Sequence, residues 1–353
     1  MAGAMTATVL RREPPETPAE TSSRRLTERV FRIRESGIIV VLALFVAVTA
    51  GIQHRFVSET NIQFVLVNTT IFALLALGET MVVISRNVDL SVGSVLGMSA
   101  YLSAGLFGAH RGIPIPVVFV VGLAIGLGWG LVNGLLVAAG RVPSLVVTLA
   151  TLYIIRGLDI LIVGGGMVTA NTLPGSFTGI PKATVLGIPD LAIAVAVVIA
   201  AGAYYLRSFR SGRELYAIGS NPEAARLAGL PIGRRVFGAF AASGAIAGVA
   251  GVLWAAQYGT VDSTAGTGYE LTVITAVVVG GVAIFGGSGS VVGAALGALL
   301  LSTINSALYV LGISDFWDQA IAGFLLLLAI TIDRVISVKL TAALRLRSTR
   351  RAT

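Results

Sequence analysis

The sequence predicts an all-α protein that crosses a membrane many times, and three observations lead to this class. The chain has 353 residues, of which 55% are hydrophobic and only 12% charged, whereas about 25% is usual for soluble domains. Its mean hydropathy is +0.89. Apolar runs of about 20 residues, enough for a helix to cross a hydrocarbon core of about 30 Å, recur along the chain. A soluble enzyme or a nucleic-acid-binding module is excluded, despite the net charge of +8.

About ten apolar runs are predicted to form membrane helices. They lie at 38–56, 62–84, 91–109, 115–139, 144–164, 189–207, 235–257, 271–286, 290–311 and 316–337. The eighth run is short. Broken or re-entrant helices are expected near 85–93 and 286–290, in the connections that follow the second and eighth runs.

Basic residues predict the orientation of the chain. Of the 25 Lys and Arg residues, 19 fall within 1–36, 206–235 and the segment from Arg334 onward. Ten crossings put all three segments on one side, and Lys and Arg resist translocation, so that side is the cytoplasm. Both termini are therefore predicted to lie inside.

This orientation divides the chain into three parts. The segment 1–36, with its clustered prolines and charges, is predicted to be a disordered basic cytoplasmic tail. A transmembrane domain follows at 37–337 and includes a cytoplasmic loop at 208–233. A second basic tail occupies 338–353.

The composition argues against several kinds of chemistry. The chain has no cysteine, and its two histidines, His54 and His110, lie just beyond predicted helix ends, so neither a metal site nor a histidine-based catalytic triad is expected. Neither of its two lysines, Lys182 and Lys339, follows a glycine, so the Gly-Lys pair of a Walker A loop is missing. No catalytic residue and no cofactor bound by this chain are expected.

Glycine recurs every four residues in several of the predicted helices. The longest series is Gly122, Gly126, Gly130 and Gly134, and shorter ones are Gly93–Gly97, Gly244–Gly248 and Gly289–Gly293–Gly297. This spacing puts the glycines on one helix face, where a neighbouring backbone can approach closely. We expect a tightly packed bundle; a direct role in permeation is the alternative.

The loop after the sixth run is predicted to contain a short helix. Asn221 suits the N-cap, Pro222 the first helical position, and Glu223 the positive end of the helix dipole, while Gly229 suits the end. Its apolar residues are small, which suits a groove on a partner protein, whereas a helix resting on lipid would carry larger ones.

Four strings of the sequence carry a family resemblance. Glu223-Ala224-Ala225, with Gly229 four residues on, resembles the coupling-loop signature of bacterial ABC importer permeases. The strings 85–94, 266–270 and 280–290 resemble the ribose-type family of monosaccharide permeases, and the second of them is similar to rhamnose and autoinducer-2 permeases within it. The resemblance runs in order from about residue 37 to 337.

This resemblance implies a multi-pass permease subunit in the bacterial inner membrane, for import of a monosaccharide such as rhamnose, autoinducer 2 or a ribose-like sugar. A separate ATPase would bind ATP and Mg and contact the coupling residues of this chain. The other implied partners are an extracytoplasmic sugar-binding protein, a second permease copy or paralogue, membrane lipid and the small sugar itself, with no nucleic acid. The coupling residues are Asn221, Pro222, Glu223, Ala224, Ala225, Arg226 and Gly229.

A gate or hinge is predicted at the end of the second run. Its residues are Arg86, Asn87, Asp89, Ser91 and Gly93. If the stretch is helical, Asp89 would pair with Arg86, and Asn87 and Ser91 would satisfy backbone groups at a helix break. An ordinary polar turn is the alternative.

Polar residues inside the predicted helices are candidates for a sugar path, because a neutral sugar needs amides, hydroxyls and aromatic faces. The candidates are Asn68, Glu79, Asn133, Gln257, Glu270, Thr272 and Asn305, together with Thr69, Thr148 and Thr275. For each one, a hydrogen bond between helices is the alternative. Arg156 and Asp159, one turn apart, are expected to neutralise each other.

A proton-coupled secondary sugar transporter is the rival class. In that case Glu79 or Glu270 would carry the proton. Such a protein would lose transport when uncouplers are added and would need no ATPase.

Overall fold

The computed structural model describes residues 36–352 except 111 and 315, with side chains described as far as Val335. The predicted disordered tail lies outside the described residues apart from Ser36. Within the described part, the chain is helical apart from short turns and one small hairpin. The α-helices are α1 (Ser36–Ile52), α2 (Glu59–Ile84), α3 (Val92–Ala109), α4 (Ile115–Ala138), α5 (Ser144–Val163), α6 (Gly175–Thr178), α7 (Asp190–Ser208), α8 (Arg210–Ser220), α9 (Pro222–Leu227), α10 (Ile232–Tyr258), α11 (Tyr269–Val279), α12 (Val291–Val310) and α13 (Phe316–Ala352).

The predicted all-α membrane class is confirmed. Eight helices of the described part are long and apolar enough to cross a membrane: α2, α3, α4, α5, α7, α10, α12 and the first 20 residues of α13. Two shorter apolar helices, α1 and α11, coincide with the first and eighth predicted runs. The C-terminal basic segment continues α13 as far as Ala352.

The interruptions that the sequence predicted are present, and the second one is longer than expected. After α2 the chain is non-helical until Val92, and Arg86 adopts a left-handed φ of 68°. α11 ends at Val279 and not at the predicted residue 286, which leaves 280–290 without helix. The reason is the glycine content, because Gly281, Gly286 and Gly287 have positive φ values of 91°, 81° and 78°.

The glycine series does pack helices together, as expected. A Cβ atom on Gly126 of α4 would overlap the carbonyl oxygen of Gly244 on α10, and a Cβ atom on Gly130 would overlap that of Phe240. A Cβ atom on Gly297 of α12 would likewise overlap the carbonyl oxygen of Ala276 on α11. These backbones approach too closely for any side chain, so α10 lies directly against α4.

α2 lies at the centre of the bundle. It packs against α7, α10, α11 and α12, and its last residues, Val82, Val83 and Ile84, are 0% exposed. α4, α5 and α7 lie outside and present exposed leucine, isoleucine and valine side chains. An apolar outer surface around a buried central helix is the arrangement expected in lipid.

The connection from α5 to α7 is made of several short elements. It contains 3₁₀ turns at Ala170–Thr172 and Ile180–Lys182, the short helix α6, and an antiparallel hairpin of β1 (Thr184–Val185) and β2 (Ile188–Pro189). Val168 pairs with Val261 across the two loops at this end of the bundle.

Candidate functional site

The segment that carries the coupling-loop signature is built from two helices. α9 begins as predicted, because the Asn221 side chain accepts a hydrogen bond from the Ala224 amide at 3.0 Å, and Gly229 follows the helix at φ 73°. Ala225 is buried, whereas Leu227 is 89% exposed. The α9 face that includes Ala224 and Leu227 is therefore free to contact another protein.

α8, which the sequence did not predict as a separate helix, lies against both interruptions. A Cβ atom on Gly219 would overlap the carbonyl oxygen of Ile84, the last residue of α2, and would lie 2.5 Å from the Gly287 nitrogen. The Gly287 amide donates a hydrogen bond of 2.9 Å to the same Ile84 carbonyl. The Tyr216 hydroxyl donates to the Gly289 carbonyl at 3.1 Å. We call these five residues the junction.

Burial raises the pKa of Tyr216 to about 12. Like an ordinary tyrosine, it keeps its proton at neutral pH and remains a donor to Gly289.

One carboxylate, Glu214, binds an arginine within α8 and a second arginine on α10, and the second bond ties α8 to α10. Glu214 accepts hydrogen bonds from Arg210 at 2.8 Å and from Arg235, in the first turn of α10. The hydrogen bond from Arg235, followed by the one from Arg210, lowers the pKa of Glu214 below its usual value. The i,i+4 spacing of Arg210 and Glu214 is the signal in the sequence from which this pairing follows.

Five buried residues around the first interruption form what we call the central polar cluster: Glu79, Asp89, Ser91, Asn133 and Ser243. Asp89 Oδ1 accepts hydrogen bonds from the Ser91 amide at 2.9 Å and the Ser91 hydroxyl at 2.6 Å. The Asp89 amide donates to Glu79 Oε1 at 3.1 Å, and Asn133 Nδ2 donates to Ser91 Oγ at 2.8 Å. Ser243 Oγ lies 3.5 Å from Asp89 Oδ2.

The predicted pair of Arg86 and Asp89 is wrong. The stretch is not helical, and Arg86 is exposed with φ at 68°, while Asp89 is only 1% exposed. Asn87 does satisfy backbone at the break, as expected, because its side chain donates to the Ser85 carbonyl at 3.0 Å. Thr148 of α5 also binds the break, since its hydroxyl donates to the Val88 carbonyl at 3.2 Å.

Two of the predicted path residues meet in a second group, which we call the aromatic cluster. Asn68 Oδ1 accepts hydrogen bonds from Gln257 Nε2 at 2.5 Å and from the Tyr258 hydroxyl at 3.1 Å. Trp254 Nε1 donates to the Tyr269 hydroxyl at 3.0 Å. Trp254, Tyr258 and Tyr269 were not among the predicted path residues. The signal for the first two is their i, i+3, i+4 spacing with Gln257, which puts all three on one helix face.

The remaining path candidates have mostly local partners. The hydroxyls of Thr69, Thr272 and Thr275 donate to carbonyls one turn back, at 2.7, 3.3 and 2.7 Å. Asn305 is half-buried on α12. Glu270, also half-buried, has its Oε2 atom next to Gly93, where a Cβ atom would lie 2.5 Å away.

Arg156 and Asp159 are close but not hydrogen-bonded, since Nη1 and Oδ2 are 3.9 Å apart. The stronger contacts of Arg156 are with backbone carbonyls of the loop after α10. Within the described part of the chain, no group of three or more His, Cys, Asp or Glu residues could hold a metal ion.

Together these features define a multi-pass membrane transport subunit, with two interrupted helices and an exposed helical segment packed against both interruptions. A family model described as "Branched-chain amino acid transport system / permease component" matches residues 61–330. The chain belongs to this family, and the resemblance to ribose-type ABC importer permeases is confirmed.

Two relatives illustrate the similarity. The autoinducer 2 import system permease protein LsrC of Enterobacter sp. (strain 638) is 36% identical over 298 residues, covering 84% of this chain and 85% of that protein. The ribose import permease protein RbsC of Escherichia coli (strain K12) is 32% identical over 321 residues, covering 90% of this chain and 98% of that protein. No solved structure is significantly similar to the chain.

Family membership places the chain among multi-pass permeases of the inner membrane. It is a transport subunit and not an ATPase. The family implies an ABC transporter complex that also contains an ATPase and a binding protein.

Proposed function

We propose that this chain forms the translocation pathway of an ATP-driven importer for a monosaccharide or a related small polyol, such as rhamnose, autoinducer 2 or a ribose-like sugar. ATP and Mg would be bound by a separate ATPase that contacts α8 and α9. The observation that carries the proposal is the junction, in which α8 lies against the end of α2 and against the 280–290 segment. A displacement of α8 by the ATPase would therefore act on the end of α2 and on the 280–290 segment after α11 at the same time.

The aromatic cluster supports a sugar as the substrate. Amide groups fix hydroxyl groups by hydrogen bonds, and aromatic faces cover the apolar face of a sugar ring. Asn68 and Gln257 lie next to Trp254, Tyr258 and Tyr269, and Gln257 Oε1 has no hydrogen-bond partner among the described residues. That oxygen is available to accept a hydroxyl hydrogen.

The two similar permeases point the same way, since one is named for autoinducer 2 import and the other for ribose import. Membership of an ABC permease family also favours ATP-driven import over the proton-coupled rival. A second copy of the permease or a paralogue would complete the pathway. The binding protein would dock at the end of the bundle that carries the 165–188 connection.

Crosslinking tests the ATPase contact. Ala224→Cys creates the only thiol in the chain, on the exposed face of α9, and Ala225→Cys creates one on the buried face of the same helix. With the whole transporter expressed in host membranes, a short thiol-directed photocrosslinker on Ala224→Cys should capture a protein that carries a Walker A loop. Ala225→Cys should capture much less. Capture of lipid alone by a transport-active Ala224→Cys protein would contradict the proposed contact.

Uptake tests the substrate. Radiolabelled rhamnose, ribose and autoinducer 2 are offered to cells expressing the whole transporter, and the ATPase is then disabled by mutation. We expect import of at least one compound to stop without the ATPase and to continue when an uncoupler is added under conditions that preserve ATP. Import that survives loss of the ATPase but not the uncoupler would favour the proton-coupled class.

Gln257→Ala tests the pathway itself. It should lower uptake of the accepted sugar at least 10-fold, because it removes the amide that donates to Asn68 and whose free Oε1 is proposed to accept a sugar hydroxyl. Asn171→Ala, an exposed amide in the 3₁₀ turn at Ala170–Thr172, is the matched control and should leave uptake unchanged. Normal uptake by Gln257→Ala would remove the cluster from the pathway.

A further inference from the structure

Arg156 is a charged residue in the middle of the membrane-spanning helix α5. Its side chain is only 16% exposed. An arginine at this depth is costly unless its charge is compensated, so its partners indicate what it does.

The hydrogen bonds of Arg156 go to one loop of the backbone. Nη1 donates to the Ala265 carbonyl at 2.8 Å and to the Ser263 carbonyl at 3.1 Å. Both lie in the 259–268 segment, which joins α10 to α11 and which we call the α11 loop. Asp159, 3.9 Å away, has no hydrogen-bond partner for either carboxylate oxygen among the described residues. The Asp159 carboxylate therefore offsets the charge of Arg156, whereas the Ser263 and Ala265 carbonyls accept its hydrogen bonds.

The α11 loop lies on two glycines of α3. A Cβ atom on Gly97 would overlap the Ala265 carbonyl oxygen and would lie 3.3 Å from Arg156 Nη1. A Cβ atom on Gly93 would lie 2.6 Å from the Gly266 carbonyl oxygen and 2.5 Å from Glu270 Oε2. The glycines therefore make room for the loop, and Arg156 reaches the same carbonyl from α5.

Apart from Arg156 and the packing on α3, the hydrogen bonds of the second half of the loop are local ones. Its first half is tied by the pairing of Val261 with Val168. Beyond that, Thr264 donates to the Asp262 carboxylate, and the amides of Ala265, Thr267 and Tyr269 each donate to the carbonyl three residues back. Gly266 and Gly268 adopt positive φ values of 71° and 84°. Two glycines within three residues of Tyr269 make these local hydrogen bonds a weak restraint on the start of α11, so contacts from outside the loop matter.

We infer that Arg156 is a positioning residue that holds the α11 loop on α3 and thereby fixes the first residues of α11, Tyr269 and Glu270. We call this hold of Arg156 on the α11 loop the clamp. The evidence for it is the contacts of Arg156 and does not depend on the proposed function. Its consequence for transport rests on the proposed function, which puts Tyr269 beside the sugar. The two parts fail in different experiments.

The clamp is tested without any substrate. Ala265, whose carbonyl accepts from Arg156, is only 3% exposed. Ala265→Cys puts the only thiol of the chain at this buried position. The rate of labelling with N-ethylmaleimide is measured on the full chain in lipid nanodiscs. Adding Arg156→Gln should raise the rate at least 10-fold, and Arg156→Lys, which keeps a charged donor, should raise it less. A rate unchanged by Arg156→Gln would overturn the proposal.

Two glycine variants test the clamp while leaving Arg156 in place. Gly97→Ala should push the Ala265 carbonyl away from Arg156 and also raise the labelling rate. Gly108→Ala on the same helix is the matched control, because a Cβ atom there has nothing within 4 Å. Labelling that stays slow in Gly97→Ala would contradict the contact, even if Arg156→Gln does not fold.

Uptake kinetics then test the consequence. If Tyr269 is displaced, the half-saturation concentration for the accepted sugar should rise at least 5-fold in Arg156→Gln, with partial rescue in Arg156→Lys. Fast labelling with unchanged uptake kinetics would keep the clamp and would remove Tyr269 from the sugar path. An unchanged half-saturation concentration with a lower maximal rate would overturn the proposed effect on sugar binding and assign the effect of Arg156 to a later step of transport.

Discussion

At the scale of single residues, Asp89 explains how the chain can leave a helix inside a buried region. Leaving the helix exposes amide groups that water cannot reach, and each unpaired group costs about 1–3 kcal/mol. Asp89 Oδ1 satisfies the Ser91 amide and hydroxyl together, and the Asp89 amide is in turn satisfied by Glu79. The Asp89 side chain therefore stabilises the start of α3, and its backbone amide links this stretch to α2.

Asp89→Ala should destabilise the protein by about 1–3 kcal/mol, because the Ser91 amide would lose its acceptor in a buried position. Asp89→Asn should cost less, since it keeps one carbonyl oxygen. The measurement is thermal unfolding in detergent, with Asp190→Ala, an exposed acid at the start of α7, as the control. Equal melting temperatures for Asp89→Ala and Asp190→Ala would contradict this role.

Glu214 gives the molecule a defined response to acid. Its pKa is lowered, chiefly by the hydrogen bond from Arg235, so it contributes stability above the unfolded pKa of about 4.3 and loses it as pH falls through the lower folded value. The protection of the α8 amides against hydrogen exchange, taken relative to the intrinsic rate at each pH, should therefore fall below about pH 4. Glu214→Gln should show low protection throughout and lose this pH dependence, whereas Glu223→Gln, in an exposed ion pair, should keep it.

Contacts between neighbours in the chain could be predicted from the sequence, whereas contacts between distant residues could not. The N-cap role of Asn221 follows from neighbours in the chain and was predicted correctly. The partner of Asp89 was predicted wrongly, because the prediction assumed a helix and the left-handed φ of Arg86 ends it. Contacts such as Asn68 with Gln257 join residues 189 positions apart. Their polarity marked them as candidates, but only the packing of α2 on α10 brings them together.

At the scale of helices, glycine spacing was a reliable guide because it needs no knowledge of the partner. The series in α4 predicted a close neighbour, and the neighbour is α10 with its own glycines. The end of α11 was placed seven residues too late, since an apolar run does not reveal where glycines adopt positive φ. The membrane class and nearly all helices were predictable; the lengths of the interruptions were not.

The contact of α4 with α10 can be tested by a single methyl group. Gly126→Ala should destabilise the protein by about 1–3 kcal/mol, because its Cβ atom would overlap the Gly244 carbonyl oxygen. Gly128→Ala, two residues away on the same helix, meets nothing within 4 Å, and should be neutral or slightly stabilising because alanine favours helix. Both are compared by thermal unfolding in detergent. The close contact would be contradicted if the two variants unfold at the same temperature.

At the scale of the whole molecule, the junction joins parts that are far apart in the chain. At the junction, α8 contacts both the end of α2 and the 280–290 segment. Ile84 and Gly287, which contact each other there, are separated by most of the sequence. Apart from the hydrogen bond of the Tyr216 hydroxyl, the contacts there are made by backbone on backbone. Such backbone contacts have no flexible side chain to absorb a displacement, so under the proposed function a movement of α8 would be passed on to the interrupted helices.

Gly219→Ala should break this transmission while leaving the ATPase contact in place. Its Cβ atom would overlap the Ile84 carbonyl oxygen and force α8 away from α2. In the assembled transporter, uptake should fall at least 10-fold, while crosslinking from Ala224→Cys to the ATPase persists and ATP hydrolysis continues without import. Gly233→Ala, where the nearest atom is at an ordinary 3.7 Å, is the control and should transport normally. Normal uptake by Gly219→Ala would mean that the force reaches the pathway by another route, and loss of the crosslink would mean that α8 positions the docking face and does not transmit its movement.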